Sequence, residues 1–273
     1  MRLLFRLRAR QSVEYPRSNH DKVRGVVWNA LEGTRFDAAH EDGLPVGVCT
    51  SNVFPWSQTI PEGDTRHFLV ASPHEDALSA IARAHPVGSE FNIGTLPFTV
   101  EDVTVVEPDV GAPGTTGTLE TSTGVYTRLS DDICEEYGIE PYRTGDTYWS
   151  SESDHPIGAF IDYVEQNLQT KHDQFHFPHL DGPAECEGRL FQSENLQKEF
   201  VVHIPVAQDQ TLRAVLTKWR FDYRVRDADH RRNLQLALST GIGGRNTQGL
   251  GFVNLVEGSK RSPGSQASVG SQR

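Results

Sequence analysis

At 273 residues the chain is long enough for two domains or one large one. Its 37 acidic against 26 basic residues give a formal charge of −11, which taken whole argues against a nucleic-acid binder, whose footprint is basic. No apolar run approaches the roughly 18 residues of a membrane helix, and three distant cysteines, Cys49, Cys134 and Cys186, exclude a disulfide framework or a CxxC metal knuckle and are expected to be buried, inert thiols.

The charge is unevenly spread. Residues 1–35 carry eight basic and three acidic groups, residues 36–180 five and twenty-four, and residues 181–273 thirteen and ten, so an acidic middle lies between two basic ends. Twenty-one of the cations are arginine and five lysine, beside a single methionine. That balance is expected of a cytoplasmic protein from a salt-adapted prokaryote, in which the negative total reports the solvent more than the ligand.

In the first residues, Leu3, Phe5 and Leu7 alternate with Arg6 and Arg8, which predicts a half-buried strand with a basic face rather than a signal peptide. Asn19 then caps a helix carrying Val23, Val26, Val27, Ala30 and Leu31, closed by Gly33. Beyond a polar loop around His40, Asp42 and Gly43, strand-like stretches near 46–56 and 65–71 flank the turn residues Pro61, Glu62 and Gly63 and predict a hairpin. Ser72, Pro73, His74 and Glu75 spell a capping box with proline at the first helical position, ahead of Ala77, Leu78, Ile81 and Ala82. A strand from Leu96 to Val106 completes the order β-α-β-β-α-β of a ferredoxin-like domain, 1–107.

A Gly/Pro-rich linker, 108–117, precedes a second domain, 118–258, in which the same order returns in degraded form. Its expected elements are a strand over 118–129 and a helix opened by Asp154 and Pro156 with Phe160, Ile161, Val164 and Leu168 on one face. Strands over 199–205 and 212–225, a helix capped at Asp227 with Leu234, Leu236 and Leu238, and a strand over 251–256 follow. The fold class is therefore α+β, two tandem ferredoxin-like domains. The tail, 259–273, cannot bury a face and is expected to be disordered.

The most informative stretch is GIGGRNTQGLG, from Gly241 to Gly251, between the last helix and the last strand. It is not a dinucleotide fingerprint, which would need glycine where Asn246 stands and would open a helix after a strand, nor a P-loop, which ends in Gly-Lys-Ser/Thr. The plain alternative is a tight turn with a bulge. The pattern is longer than a turn requires: Gly241, Gly243, Gly249 and Gly251 bracket Arg245 and Asn246, so a backbone free of side chains can approach a phosphate chain while Arg245 supplies a charged fork and Asn246 an amide.

This loop resembles the hallmark of the CRISPR-associated endoribonucleases that cut precursor CRISPR RNA within its repeats: Gly-hydrophobic-Gly, five residues, Gly-hydrophobic-Gly, with a basic residue inside. Gly241-Ile242-Gly243 and Gly249-Leu250-Gly251 around Arg245 fit it, and MRLLFRLRAR, NHDKVRGVVWNAL and AFIDYVEQNLQTKHD fall where the family has similar segments. The resemblance implies two tandem ferredoxin-like domains, cleavage without metal or other cofactor by attack of the 2′-hydroxyl, and products ending in a 2′,3′-cyclic phosphate and a 5′-hydroxyl. It also implies partners: repeat RNA and other subunits of a CRISPR effector complex.

Such a reaction needs a proton acceptor, a proton donor and a cation at the phosphorane. On residues alone His40 reads as a solvated loop histidine; the resemblance places it at the family's catalytic position, after the first helix. Where many relatives carry a tyrosine on that helix this chain has Trp28, and their lysine position falls near Val46 and Gly47. The triad is incomplete, so His40 is expected to work with Arg245 or the loop amides. A noncatalytic repeat-RNA-binding subunit is the alternative, and a metabolite-binding protein of the same architecture would leave the arginine strands unexplained.

Four other features complete the reading. His20 is expected to cap the first helix locally. His172, His176 and His179, without partner cysteines, read as an exposed loop rather than a zinc site. Arg220 and Arg224, with Arg226 and the interleaved Trp219, Phe221 and Tyr223, are expected to grip RNA by phosphate contacts and stacking, or else to alternate between core and solvent. Ser122 and Thr123 lie where relatives place small hydroxyl residues near RNA.

Overall fold

A computed structural model describes residues 1–16, 20–37, 47–142, 146–175, 188–207 and 210–256. Strand β1 (Arg2–Ala9) buries Leu3, Phe5 and Leu7 and turns Arg6 and Arg8 to solvent, as its alternation requires. It lies at the centre of a five-stranded antiparallel sheet. On one side it pairs with β5 (Thr65–Ala71), and β5 pairs with β3 (Cys49–Thr50); on the other it pairs with β7 (Leu96–Val106), and β7 pairs with β6 (Glu90–Ile93). The order β3-β5-β1-β7 is that of a ferredoxin-like fold, with β6 as an added edge. Strands β2 (Val13–Glu14) and β4 (Thr59–Ile60) form a separate ribbon.

Helices α1 (His20–Leu31) and α2 (Glu75–Ala84) bury Val23, Val27, Leu31, Leu78 and Ile81 in one cluster with Phe5, Phe68, Phe91 and Phe98. The Phe5 and Phe91 rings lie 5.3 Å apart and those of Phe68 and Phe91 5.6 Å. Each of these phenylalanines is buried completely, and truncating one to alanine costs about 3–5 kcal/mol.

The second sheet repeats the order. Strand β8 (Thr116–Thr121) is central; β11 (Gln210–Arg224) joins it to β10 (Ser193–Ala207) on one side, and β12 (Val253–Leu255) pairs with it on the other, while β9 (Val125–Tyr126) pairs with β11. Helices α3 (Asp131–Glu136), α4 (Ile157–Phe175) and α5 (Ala228–Thr240) connect the strands. The core here is aromatic: the rings of Phe160 and Trp219 stack at 4.2 Å, as do those of Phe191 and Phe221. Asp227 caps α5, accepting from the His230 amide at 2.8 Å.

Several elements differ from expectation. Of the stretch 46–56, the described residues 47–56 contribute the two residues of β3 and an isolated bridge between Phe54 and His67, and the pairing with β5 shifts register by one residue between them, so no continuous ladder forms. The turn at Pro61–Gly63 follows β4, which pairs with β2 and not with β5. The capping box does not form: α2 starts at Glu75, His74 is its N-cap with no capping bond from its side chain, and the Ser72 hydroxyl instead accepts from the His74 amide at 3.1 Å. The expected strand 118–129 is broken at Ser122–Gly124, where a Cβ on Gly124 would sit 2.8 Å from Leu216. Strand β10 begins at Ser193, six residues early, and β6 and the single-turn α3 are additions.

The two halves are bolted by Arg2. Its guanidinium, 4% exposed, donates to the Leu238 and Val253 carbonyls and to Asn254 Oδ1 and lies 4.6 Å from the centre of the Phe252 ring. Burial lowers its pKa to about 10. Among the described residues no helix is long and apolar enough to cross a membrane. Asn19, His40, Asp42, Gly43, Val46, His176, His179, Cys186 and the tail lie outside the described residues; Cys49 and Cys134 are buried free thiols.

Candidate functional site

Helix α5 ends at Gly241, whose amide caps the Ala237 carbonyl at 2.9 Å, and the chain loops through a 3-10 turn (Asn246–Gln248) back to β12. The loop is zipped at its base: the Ile242 amide donates to the Gly251 carbonyl at 3.0 Å, Gly244 to Tyr126 at 3.0 Å and Gly251 to Gly124 at 2.8 Å. Its glycines answer to this packing. Gly243 has φ +71° and a Cβ there would lie 2.6 Å from the Tyr126 carbonyl oxygen; Gly251 has φ +66° and its Cβ would lie 1.9 Å from the Ile242 carbonyl oxygen. Neither position admits another residue without rearrangement. Ile242 and Leu250, 0% and 1% exposed, plug into the cores on either side.

Gly241, Gly243, Gly249 and Gly251 are all buried, and the close approach they permit is to protein atoms: Cys49 beside Gly241, Tyr126 beside Gly243, Asn52 and Val23 beside Gly249, Ile242 beside Gly251. The half-exposed part of the loop is Gly244 to Thr247. Asn246 turns its amide inward, donating to the Ile242 carbonyl at 3.2 Å and the Leu250 carbonyl at 3.0 Å, so it staples the loop.

Arg245 stands at the turn in a left-handed conformation, φ +58°. Its guanidinium lies 5.3 Å from the centre of the Tyr126 ring and donates to Gln248 Oε1 at 3.2 Å. Behind it Tyr126 and Tyr148 share a hydroxyl contact at 3.3 Å, with Asp146 beside both. Burial first, then the bond to Tyr126, raises the Tyr148 phenol far above its usual range and keeps it protonated.

One residue of this site was missed. Lys171 in α4, 7% exposed, donates from Nζ to the Gly241 carbonyl at 2.9 Å and the Gly243 carbonyl at 3.0 Å. Burial lowers its pKa to about 7, and the neighbouring Cys49, pushed up to about 12 by its own burial, opposes that shift only in part. The signal was in the sequence: Phe160, Ile161, Val164, Leu168 and Lys171 continue one apolar stripe at helical spacing, and a lysine on such a stripe is rarely accidental.

The loop also touches the N-terminal half. Gly249 packs against Asn52 and Val23 of α1, and the Cys49 thiol points at the Leu250 carbonyl, 3.9 Å away. The segment bearing His40 leaves from Asp37, whose carboxylate accepts from the Gly33 amide at 2.9 Å, and returns at Gly47. Trp28 is half-buried against the N-terminal core.

Arg220 and Arg224 are exposed on β11, but Trp219, Phe221 and Tyr223 between them are 1%, 0% and 1% exposed. Strand alternation sends the rings into the core, so stacking on RNA by these aromatics is ruled out. Arg226 donates to the carbonyls of Arg189 and Gly188. On β1, Arg6 and Arg8 share Glu101, which neutralises much of the expected basic face. His172 lies in the last turn of α4 and is half-buried, not in an exposed loop, and no group of metal ligands occurs among the described residues. The Ser122 hydroxyl donates to the Phe252 carbonyl at 3.2 Å and that of Thr123 accepts from the Phe252 amide at 2.8 Å.

Between the sheets runs a cleft of about 650 Å³, lined by Phe54, Trp56, Asn52, Phe200 and Lys218 and by Leu250 of the loop. Trp56 is 71% exposed and Phe54 stacks on His67 at 5.5 Å. Lys198 lies 5.4 Å from the Phe200 ring centre, and burial, with Lys198 alongside, lowers the pKa of Lys218. The cleft was not legible in the sequence, because its walls come from both halves.

The comparisons with known proteins converge. A family model for the C-terminal region of CRISPR-associated protein Cas6 matches residues 143–255. The protein named CRISPR-associated endoribonuclease Cas6 from Haloferax mediterranei is 47% identical over 260 residues, covering 95% of each chain. A solved structure of a Cas6-related gene product from Pyrococcus furiosus superposes with a TM-score of 0.66 at 14% identity, over 94% of this chain and 98% of that one. A protein described as an RAMP protein binding different RNA substrates gives 0.64 at 18%, over 94% and 100%. These two structures share the fold of tandem ferredoxin-like sheets.

Proposed function

The chain belongs to the Cas6 family of CRISPR-associated endoribonucleases, and from that membership we propose that it binds precursor CRISPR RNA and cuts it within its repeats without a metal ion. The 2′-hydroxyl before the scissile phosphate attacks phosphorus, its proton passing to a base; the bond from phosphorus to the 5′-oxygen breaks, and that oxygen takes a proton. The products carry a 2′,3′-cyclic phosphate and a 5′-hydroxyl. His40 serves as general acid or base, and Arg245 places its charge beside the phosphorane.

The observation that carries the reading is the loop from Gly241 to Gly251: fastened at its base and through Asn246, it leaves Arg245 half-exposed and aimed by Tyr126 and Gln248. Preorganised charge of this kind needs no rearrangement when the transition state forms. Arg220 and Arg224 add phosphate contacts from β11, and the cleft beside Trp56 and Lys218 takes unpaired bases by stacking and charge. The Haloferax relative agrees with a salt-adapted composition; at about 1 M salt the screening length shrinks to about 3 Å, so short contacts such as arginine forks and stacking matter more than the negative total. Handing the product to other effector subunits completes the role.

Trp28, where many relatives carry tyrosine, favours a second reading, a subunit that holds repeat RNA without cutting it, since an indole cannot exchange a proton usefully. Incubating the purified protein with repeat RNA in molar salt separates the two. Cleavage at one position, lost in His40→Ala, supports the nuclease, whereas tight binding with no cut strand establishes the noncatalytic subunit.

A further inference from the structure

Lysines are almost never buried without a partner, and α4 could have carried a hydrophobe at 171 to extend its apolar stripe. Lys171 instead reaches beneath the loop, where its Nζ meets the carbonyl oxygens of Gly241 and Gly243 at 2.9 and 3.0 Å. Those two carbonyls flank the buried Ile242 and belong to the strand of the loop that leads into Arg245. The next amide, Gly244, is held from the other side by the Tyr126 carbonyl at 3.0 Å, and Arg245 turns left-handed immediately after. The path from the end of α5 to Arg245 is thus pinned at three consecutive points by groups outside the loop, two of them a single nitrogen. Cys49 closes the space around Gly241 from the N-terminal half.

We propose that Lys171 is a positioning residue for RNA cleavage, its buried amino group fixing the Gly241 and Gly243 carbonyls and thereby setting the aim of Arg245 at the scissile phosphate. This rests on the reading that the loop holds that phosphate. An ammonium or a neutral amine supplies the two N–H donors that the carbonyls require, so the anchor survives a change of charge on the nitrogen. An unbranched hydrophobe would fill most of the space, take the donor from the Gly243 carbonyl and leave the Gly241 carbonyl only the Thr240 hydroxyl at 3.2 Å, freeing the loop to move while the fold stays closed.

The test compares the full chain with Lys171→Met, which is unbranched, one bond shorter and loses the donors, with Lys171→Gln, which has the reach of methionine but keeps an amide donor for one carbonyl, and with Leu168→Ala, which weakens the same helix one turn earlier. Two readouts are taken: hydrogen exchange of the 241–251 segment without RNA, and single-turnover cleavage of repeat RNA at saturation together with its Kd. Lys171→Met is expected to speed loop exchange at least tenfold with α1 and β1 unchanged, and to slow cleavage at least tenfold with less than a threefold change in Kd. Lys171→Gln falls between, three- to tenfold slower, and Leu168→Ala lowers Tm while cleaving at the wild-type rate. Wild-type cleavage by Lys171→Met, or equal losses in Lys171→Met and Leu168→Ala at matched Tm, would overturn the proposal. If Lys171→Met does not fold, Lys171→Gln decides alone, since wild-type rate and exchange in it overturn the anchor. If even the native chain leaves RNA uncut, the nuclease reading fails, and unchanged loop exchange in the variants would then overturn the anchor separately.

Discussion

Replacing Gly251 with alanine isolates what the loop's glycines do. Its φ of +66° is one that an L-residue occupies at a cost of about 1–2 kcal/mol. The new methyl would also lie 1.9 Å from the Ile242 carbonyl oxygen, a backbone atom that cannot swing aside. Relief requires the two strands of the loop to part, taking with them the 3.0 Å bond from the Ile242 amide to the Gly251 carbonyl; a buried donor left unpaired costs about 1–3 kcal/mol. Together these remove about 2–5 kcal/mol from a total of about 5–15, and at about 2–4 °C per kcal/mol for a chain of this size Tm falls by roughly 5–20 °C. Gly25→Ala in α1 is the control: no atom lies within 4 Å of its Cβ, φ is ordinary, and the change is expected to stabilise by about 0.5–1 kcal/mol. Thermal unfolding in molar salt measures both. A Gly251→Ala protein with unchanged Tm and unchanged RNA affinity would refute the argument that packing requires this glycine.

Other outcomes follow from the same geometry. Arg245→Ala is expected to slow single-turnover cleavage by roughly 10²–10³, the usual loss for one preorganised electrostatic group, with little change in Tm because among the described residues the side chain meets Gln248 and the Tyr126 face. Trp56→Ala should weaken repeat RNA binding by about 1–3 kcal/mol, read by titration, as expected for one stacked base, and leave stability unaltered since the ring is 71% exposed. Burial holds the His230 imidazole below its usual pKa, with Nδ1 accepting from the Arg226 amide at 3.1 Å and Nε2 meeting the Leu190 carbonyl at 2.8 Å. The unfolded chain therefore binds this proton first, and stability falls as pH drops below about 6.5; in His230→Gln the slope of Tm against pH just below that value should flatten, and an unchanged slope would exclude His230 as its source. Cys49 and Cys134, both buried with raised pKa, should resist iodoacetamide in the native protein and react on unfolding, as peptide mass mapping would record.

Much of this architecture could be read from residues whose role is local. Leu3, Phe5 and Leu7 against Arg6 and Arg8 specify a strand whichever sheet receives it, and Asp227 caps α5 through its own side chain. The glycine-rich loop was legible as a feature, but its packing against Cys49, Tyr126, Asn52 and Ile242 was not, because a sequence shows the room a glycine leaves and not what fills it. Rings at 219, 221 and 223 were open to either face until β11 paired with β8 and β10 and sent them inward. Lys171 was hidden for a related reason: its partners are backbone carbonyls 70 and 72 residues away, and carbonyls leave no trace in a sequence. Ser72 shows the opposite failure, a good local signal overridden when the helix began three residues later and its hydroxyl was taken by the His74 amide.

The most direct test of the nuclease reading is the chemistry of the ends. Repeat RNA incubated with the protein in molar salt and EDTA, with and without a 2′-deoxy nucleotide before the cut, is analysed by mass spectrometry. The account predicts a 5′ fragment ending in a 2′,3′-cyclic phosphate from the all-ribose strand and no cleavage of the deoxy strand. Cleavage of both strands, or cutting that EDTA abolishes, would contradict it.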